Sequence, residues 1–323
     1  MKPWSSKKQA AGRQAVVRII GTLLALALLV YLLSQQGWKE IASAIRQIPI
    51  WRLALAMVLM FVSRIAVSAR WHVLLRATEK RLSFRQSLRI NFAGLFASNF
   101  LPTTIGGDVV RLAGAIQYGV DAATSAASLV VDRLVGMAGM AMMVPFSLPS
   151  LLSYRSNTIQ GSTINFALAA LPTVKWWQRL REKAASLAGK LYQALTLWLR
   201  QPKSLFVSLM YSWVHMLCLF LIMQLLLGGI GQDMPIWLIG GLYSLVYFVT
   251  LIPISVNGYG LQEISMTLIF SNLGKATMSD GLTIAILFRT LTLLASLPGA
   301  ISLPDILSTA EHAEPAVDSD PIA

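Results

Sequence analysis

Asp108, Arg111, Asp132, Arg133, Glu263 and Arg289 are acids and bases set in or beside long apolar segments of the chain. A charge at the centre of a bilayer costs on the order of 3 kcal/mol on insertion scales, so each of them marks a functional site or a buried pair. Asp132 and Arg133 are sequence neighbours whose side chains diverge on a helix, so each needs a further partner, and Asp108 and Glu263 are available. Two readings stand. In one, the six face a shared interior and hold an anion, because an arginine fork grips phosphate through paired charge-assisted hydrogen bonds that lysine does not reproduce. In the other, Asp108 pairs with Arg111 at i+3 and the remaining four tie two halves of the protein together.

Two broken segments position these charges. NFLPTTIGGDVVR (99–111) interrupts an apolar run with a proline and paired glycines, and IPISVNGYGLQ (252–262) does so again. Aligned, Pro102 falls on Pro253, Thr104 on Ser255 and Gly107 on Gly258. Each copy follows an apolar run, Leu88 to Leu101 or Pro235 to Ile252, and precedes a helix with an arginine in its middle, Arg133 or Arg289. Irregular backbone at membrane depth survives only where protein or water satisfies it, so both segments must line a cavity or a packed interior. Pro102 ends a helix, Gly106 and Gly107 allow a tight reversal, and Asp108 caps the helix that restarts toward Arg111. In the second copy Pro253 breaks, Gly258 and Gly260 turn, and Asn257 is the expected cap before Glu263. Paired Gly/Pro-interrupted segments in two halves point to a transporter binding site, and their helix N-termini favour phosphate or carboxylate. The expected head-group site is therefore Thr104, Gly106, Gly107, Asp108, Arg111, Asp132, Arg133, Ser255, Asn257, Gly258, Gly260, Glu263 and Arg289.

The solvent follows from composition. Of 323 residues, 55% are hydrophobic and 13% charged, and the mean hydropathy is +0.63; a soluble domain carries about 25% charge. The pattern is that of an all-α polytopic membrane protein. The net charge of +13 sits in clusters between apolar segments, which excludes nucleic acid as the partner. Six full spans are expected, near 17–34, 51–70, 122–149, 160–176, 204–228 and 281–303. Lys2, Lys7, Lys8 and Arg13 precede the first, which is read as an uncleaved helix because no small-x-small cleavage site follows it. The loop with Arg70, Arg76, Lys80, Arg81, Arg85 and Arg89, and the block from Lys175 to Lys203, are placed in the cytoplasm by the positive-inside rule. The two broken segments then enter as re-entrant hairpins from opposite sides, within inverted repeats over about 51–149 and 204–303.

Within the basic block, Trp177, Leu180, Ala184, Leu187, Leu191, Ala194 and Trp198 recur at helical spacing, giving an amphipathic helix on the inner leaflet or a plain connector. Residues 1–16 form a basic cytoplasmic terminus, and residues 304–323, acidic and without a base, an expected disordered cytoplasmic tail. Cys218 stands alone and His72, His215 and His312 are scattered, so neither a metal cluster nor a cofactor is expected. Gly258-Tyr259-Gly260 follows no strand, which sets aside a dinucleotide loop.

At Pro102 with Gly106-Gly107-Asp108 and Arg111, then Asp132-Arg133, then Pro253 with Gly258-x-Gly260-x-x-Glu263, the chain resembles the flippase-like transmembrane family typified by the membrane half of lysylphosphatidylglycerol synthase. The resemblance covers about residues 17–303. It departs at Asn257, where many relatives have glycine. It implies an inner-membrane protein that handles a polar lipid, aminoacylated phosphatidylglycerol or an isoprenoid-linked lipid, or one that supports envelope assembly beside a partner enzyme. Residues 304–323 are too short for a soluble aminoacyltransferase domain, so the chain is not expected to make lysylphosphatidylglycerol. The preferred reading is a translocase of a phosphate-bearing lipid, uncoupled or gradient-driven since no nucleotide-binding loop is present. The alternatives are an integral transferase with Asp108, Asp132 or Glu263 as general base, and an accessory protein of envelope lipid or polysaccharide assembly.

Overall fold

The first long helix among the described residues, α1 (Ile50–Arg76), turns its apolar side outward. Trp51, Leu55, Val58, Val62 and Ile65 are exposed at spacings of three and four, while the opposite face buries Ser63, Ser68 and Arg70 beside Ala56, Met60 and Trp71. That reverses a soluble amphipathic helix and is the arrangement a lipid solvent selects. The structure is a computed structural model that describes residues 46, 48–76, 82–99, 106–158, 198, 200–252 and 256–311.

Among the described residues the chain is helical and has no strand. Four stretches are long and apolar enough to cross a membrane, Ile50–Arg76, Ala122–Tyr154, Pro202–Gly229 and Met278–Ser296, at the places of four of the expected spans. The spans expected at 17–34 and 160–176 lie outside the described residues, as does most of the surface helix expected over 175–203. Trp198, at the end of that block, is buried among Leu74, Ala127 and Val131, and its Nε1 donates to the Leu74 carbonyl at 3.0 Å.

Two series of helices succeed one another with nearly the same lengths. α1 has 27 residues, α2 (Phe84–Ser98) 15, α3 (Gly106–Gln117) 12 and α4 (Ala122–Ala141) 20. After α5 (Leu148–Thr158) come α6 (Pro202–Gly229) with 28, α7 (Ile236–Thr250) with 15, α8 (Leu261–Asn272) with 12 and α9 (Met278–Ser296) with 19. At about 1.5 Å per residue, the 15-residue and 12-residue helices fall well short of a hydrocarbon core of about 30 Å.

Capping fixes where the long fourth members begin. Asp121 accepts the Thr124 backbone N–H ahead of α4, a bond that holds its carboxyl below the usual aspartate range, and Thr277 makes a capping box with Asp280 ahead of α9. α2 begins with a similar box between Ser83 and Gln86. α1 lies along α6, and their contact belongs to a core of Met60, Ile222, Met223, Leu226, Ile239, Phe270 and Ile284. A second core, Trp71, Ile90, Val110, Leu129 and Ile306, joins α1 to α4 with the C-terminal helix α10 (Pro298–Glu311).

Three boundaries differ from the sequence reading. The span expected over 122–149 is α4 followed by a 3-10 turn at Val144–Ser147, with Pro145 inside the turn. The span expected over 281–303 stops at Ser296, and Pro298 opens α10, since proline is at home in a first helical turn. Residues 304–311, expected as part of a disordered tail, continue α10 through Pro304 and bury Ile306; residues 312–323 lie outside the described residues.

Candidate functional site: an arginine-rich cavity between two helix breaks

α2 and α3 come together at glycine. A Cβ on Gly107 would stand 2.6 Å from the Gly94 carbonyl oxygen, and one on Gly94 would stand 2.7 Å from the Gly107 carbonyl oxygen. This contact sets the first turn of α3, with Asp108, and the next, with Arg111, against α1 and α4.

Asp108 accepts from Arg111 at Oδ1 (3.2 Å) and from Arg133 Nε at Oδ2 (2.6 Å). Asp132, 1% exposed, accepts from Arg70 Nε at Oδ1 (2.7 Å) and from Arg111 at Oδ2 (3.0 Å). The result is one alternating chain, Arg70, Asp132, Arg111, Asp108, Arg133. Ser212 Oγ accepts from Arg70 at 3.0 Å, and the Arg111 guanidinium lies 4.5 Å from the Trp71 ring centroid. A Cβ on Gly136 would sit 2.9 Å from Arg70 Nη1, so that glycine leaves room for the guanidinium.

This chain borders two adjoining cavities of about 210 and 270 Å³ that share Arg64, Val67, Asp108, Arg111 and Arg133. The lining carries four guanidinium groups, on Arg64, Arg70, Arg111 and Arg133, against two carboxylates. Three side-chain nitrogens on this lining, Arg64 Nε, Asn91 Nδ2 and Arg111 Nε, are buried without a hydrogen-bond partner among the described residues.

The second break makes its own cluster. Arg289 binds Glu263 through Nε, donates from Nη2 to the Gly258 carbonyl at 3.2 Å and lies 4.6 Å from the Tyr259 ring centroid. Asn257, Gly258 and Gly260 all have positive φ, at 47°, 72° and 74°. The cap of α8 is Gly260 rather than the expected Asn257; Asn257 instead donates from Nδ2 to Asn99 Oδ1 at 3.3 Å, joining the second break to the end of α2. Asparagine is among the few non-glycine residues that enter the left-handed region readily, which accounts for its place in a turn built of glycines.

Of the six ionisable residues expected to face one interior, Asp108, Arg111, Asp132 and Arg133 do so; Glu263 and Arg289 form a separate pair. Gly107 and Asn257 line the first cavity and Gly106 is buried at the start of α3. Gly258 and Gly260 belong to the Arg289 cluster, and Thr104 and Ser255 lie outside the described residues. Asp108 binds arginines rather than capping α3 among the described residues.

Arg64, Arg70 and Asn91 are the residues that sequence reasoning passed over. Arg70, read as a charge of the cytoplasmic loop, lies on α1 at 8% exposure and holds Asp132. Arg64 is a charge inside an apolar span, so the rule that singled out Arg133 points to it as well. Among the histidines, His215 Nδ1 lies 2.7 Å from Ser63 Oγ and His72 Nδ1 2.9 Å from Ser87 Oγ; no group of three metal-ligating side chains occurs among the described residues.

No curated protein matches the chain. A family model described as Lysylphosphatidylglycerol synthase TM region matches residues 18–299. With apolar membrane-spanning helices, a close glycine contact between α2 and α3, a glycine turn before α8 and a buried charge network all inside the matched stretch, the chain belongs to the lysylphosphatidylglycerol synthase TM region family of integral membrane proteins.

Proposed function

We propose that the protein is a lipid translocase of the cytoplasmic membrane. Its phosphate-bearing head group enters the cavity between the two breaks while the acyl or isoprenoid tails remain in the bilayer. The observation that carries this reading is the cavity lining: four guanidinium groups against two carboxylates, with three buried donor nitrogens lacking acceptors. Buried donors without partners call for an acceptor, and an arginine fork suits a phosphate oxygen pair.

The two helix series support an inverted repeat. Asp108 is the third residue of α3 and Glu263 the third of α8; Arg133 and Arg289 are each the twelfth residue of the following helix. The carboxylate and arginine at these matched positions pair in both series. The short helices α2 with α3, and α7 with α8, are then re-entrant hairpins whose breaks meet through Asn99 and Asn257. The basic N-terminus is cytoplasmic by the positive-inside rule, and six full crossings return the acidic C-terminus to the same side. A transferase using Asp108 or Asp132 as base gains no support, because every oxygen of the two carboxylates already accepts from a guanidinium; Glu263, the third candidate, holds Arg289 through Oε1 and does not line the two cavities.

The test is transbilayer movement of head-group-labelled lipids in vesicles containing the purified protein. Movement of a phosphate-bearing lipid well above that of protein-free vesicles is expected. Rates equal to those of empty vesicles across a panel of phospholipids and a polyprenyl phosphate would sink the proposal.

A further inference from the structure

We infer that the cavity selects a net-anionic head group, one whose ionised group is a phosphate and which carries no ammonium, and that Arg64 is its anchoring residue. The inference rests on the lipid-handling reading and narrows it.

The carboxylates decide the first half. Asp108 gives Oδ1 to Arg111 and Oδ2 to Arg133, and Asp132 gives Oδ1 to Arg70 and Oδ2 to Arg111. An entering ammonium therefore finds no unengaged carboxylate among the described lining residues, while it meets guanidinium groups in excess. Taking a carboxylate away from its arginine would strand a buried charge. A phosphate meets the opposite field.

Arg64 decides the second half. It borders both cavities, and among the described residues it forms no ion pair; its hydrogen bond there runs from Nη2 to Met60 Sδ at 3.4 Å. Its Nε is buried without a partner. Across the first cavity, Asn91 is 8% exposed and its Nδ2 also lacks an acceptor, and so does Nε of Arg111, itself 9% exposed. Arg64 is itself half-buried, and a charge at membrane depth without an acid beside it is expensive. A phosphate between Arg64 and Asn91 would supply both the missing charge and the missing acceptor.

The experiment uses the full chain in phosphatidylcholine vesicles. It compares a fluorescent phosphatidic acid, a fluorescent polyprenyl phosphate and a fluorescent lysylphosphatidylglycerol, for the native chain, Arg64→Ala and Arg64→Lys. A phosphomonoester lipid is expected to move faster than the ammonium-bearing lipid. Arg64→Ala should slow it about tenfold or more, the loss of one charged hydrogen-bonding group, with Arg64→Lys between. The thermal midpoint of Arg64→Ala should not fall, since no acid is stranded. Lysylphosphatidylglycerol moving as fast as either monoester lipid, or an Arg64→Ala chain at the native rate, overturns the inference while leaving the translocase reading intact. If no lipid moves, the translocase reading fails and binding decides the anion site. Thermal stabilisation by short-chain phosphatidic acid, or by inorganic phosphate if the ligand is a free anion, that disappears in Arg64→Ala sustains the site; absence of stabilisation by both overturns it.

Discussion

Arg133 reaches from the middle of α4 to Asp108 in the first turn of α3, with Nε 2.6 Å from Oδ2. Arg289 stands at the equivalent point of α9 and binds Glu263 in the first turn of α8. The two pairs match in position and differ in surroundings. The Arg133 side chain is 44% exposed and borders both cavities, whereas the Arg289 side chain is 11% exposed and also holds the Gly258 carbonyl.

The two arginines should therefore fail differently. Arg289→Ala strands Glu263 in a buried site and frees the turn at 256–260, a loss of about 3 to 5 kcal/mol. Arg133→Ala removes a side chain that is half exposed at the cavities and leaves Asp108 paired to Arg111; it should cost about 1 kcal/mol or less, and its effect should fall on lipid movement. Thermal unfolding in detergent, set beside the vesicle assay, reads both. Pairing Arg289→Ala with Glu263→Gln should recover part of the stability; no recovery would mean that the carbonyl bond to the turn, not the ion pair, carries the cost.

Gly107→Ala tests the contact between α2 and α3. The added methyl meets the Gly94 carbonyl oxygen at 2.6 Å, and backbone on both sides leaves little room to give. Separating α2 from α3 should cost about 1 to 3 kcal/mol, as overpacking does, and should reduce the yield of folded protein. Gly139→Ala is the comparison: its nearest neighbour at 2.9 Å is the Met216 sulfur, on a side chain that can move. Equal losses in the two variants would count against a fixed α2 to α3 contact.

Much of this architecture was legible because the bilayer imposes simple rules. Length and hydropathy located α1, α4, α6 and α9, and Gly258 and Gly260 located the turn before α8; Gly106 and Gly107, expected to make a reversal, instead open helix α3, and residues 100–105 and Pro253 lie outside the described residues. Rules that weigh one residue at a time did less well. Arg70 looked like one more base of a cytoplasmic loop, because a count of positive charge cannot see that α1 continues to Arg76 and turns Arg70 inward onto Asp132. Which acid pairs with which base depends on helix rotation, so Asp132 found Arg70 and Arg111, and Glu263 found Arg289. The break at Leu297 was missed because the segment stays apolar on both sides of it, and hydropathy does not register where one helix ends and the next begins.

Asn257 should tolerate glycine and reject a branched residue. Its φ of 47° costs glycine nothing, so Asn257→Gly should lose only the bond to Asn99, about 1 kcal/mol or less. Asn257→Val places a β-branched side chain in the left-handed region, at a cost of about 1 to 3 kcal/mol. Thermal midpoints that rank valine at or above glycine would contradict the turn geometry.

The hairpin and repeat proposals make opposite forecasts for two loops from those of ordinary broken spans. Tyr118 follows α3 and Lys275 follows α8, and both are exposed. If α2 with α3 enters from the cytoplasm and returns, Tyr118 is cytoplasmic; if α7 with α8 enters from outside and returns, Lys275 is external. Were each helix pair to cross as one broken span from the same starting side, both assignments would reverse. Single cysteines at the two positions, in a chain whose buried Cys218 is replaced by serine, can be probed with a membrane-impermeant maleimide. In intact cells Lys275→Cys should label and Tyr118→Cys should not, and in inverted membrane vesicles the pattern should exchange. Lys190→Cys, within the basic block that the positive-inside rule assigns to the cytoplasm, should behave like Tyr118→Cys. External labelling at Tyr118 with protection at Lys275 would show that the breaks lie within full spans. The matched ion pairs of Asp108 with Arg133 and Glu263 with Arg289 would then have to be explained without re-entrant hairpins.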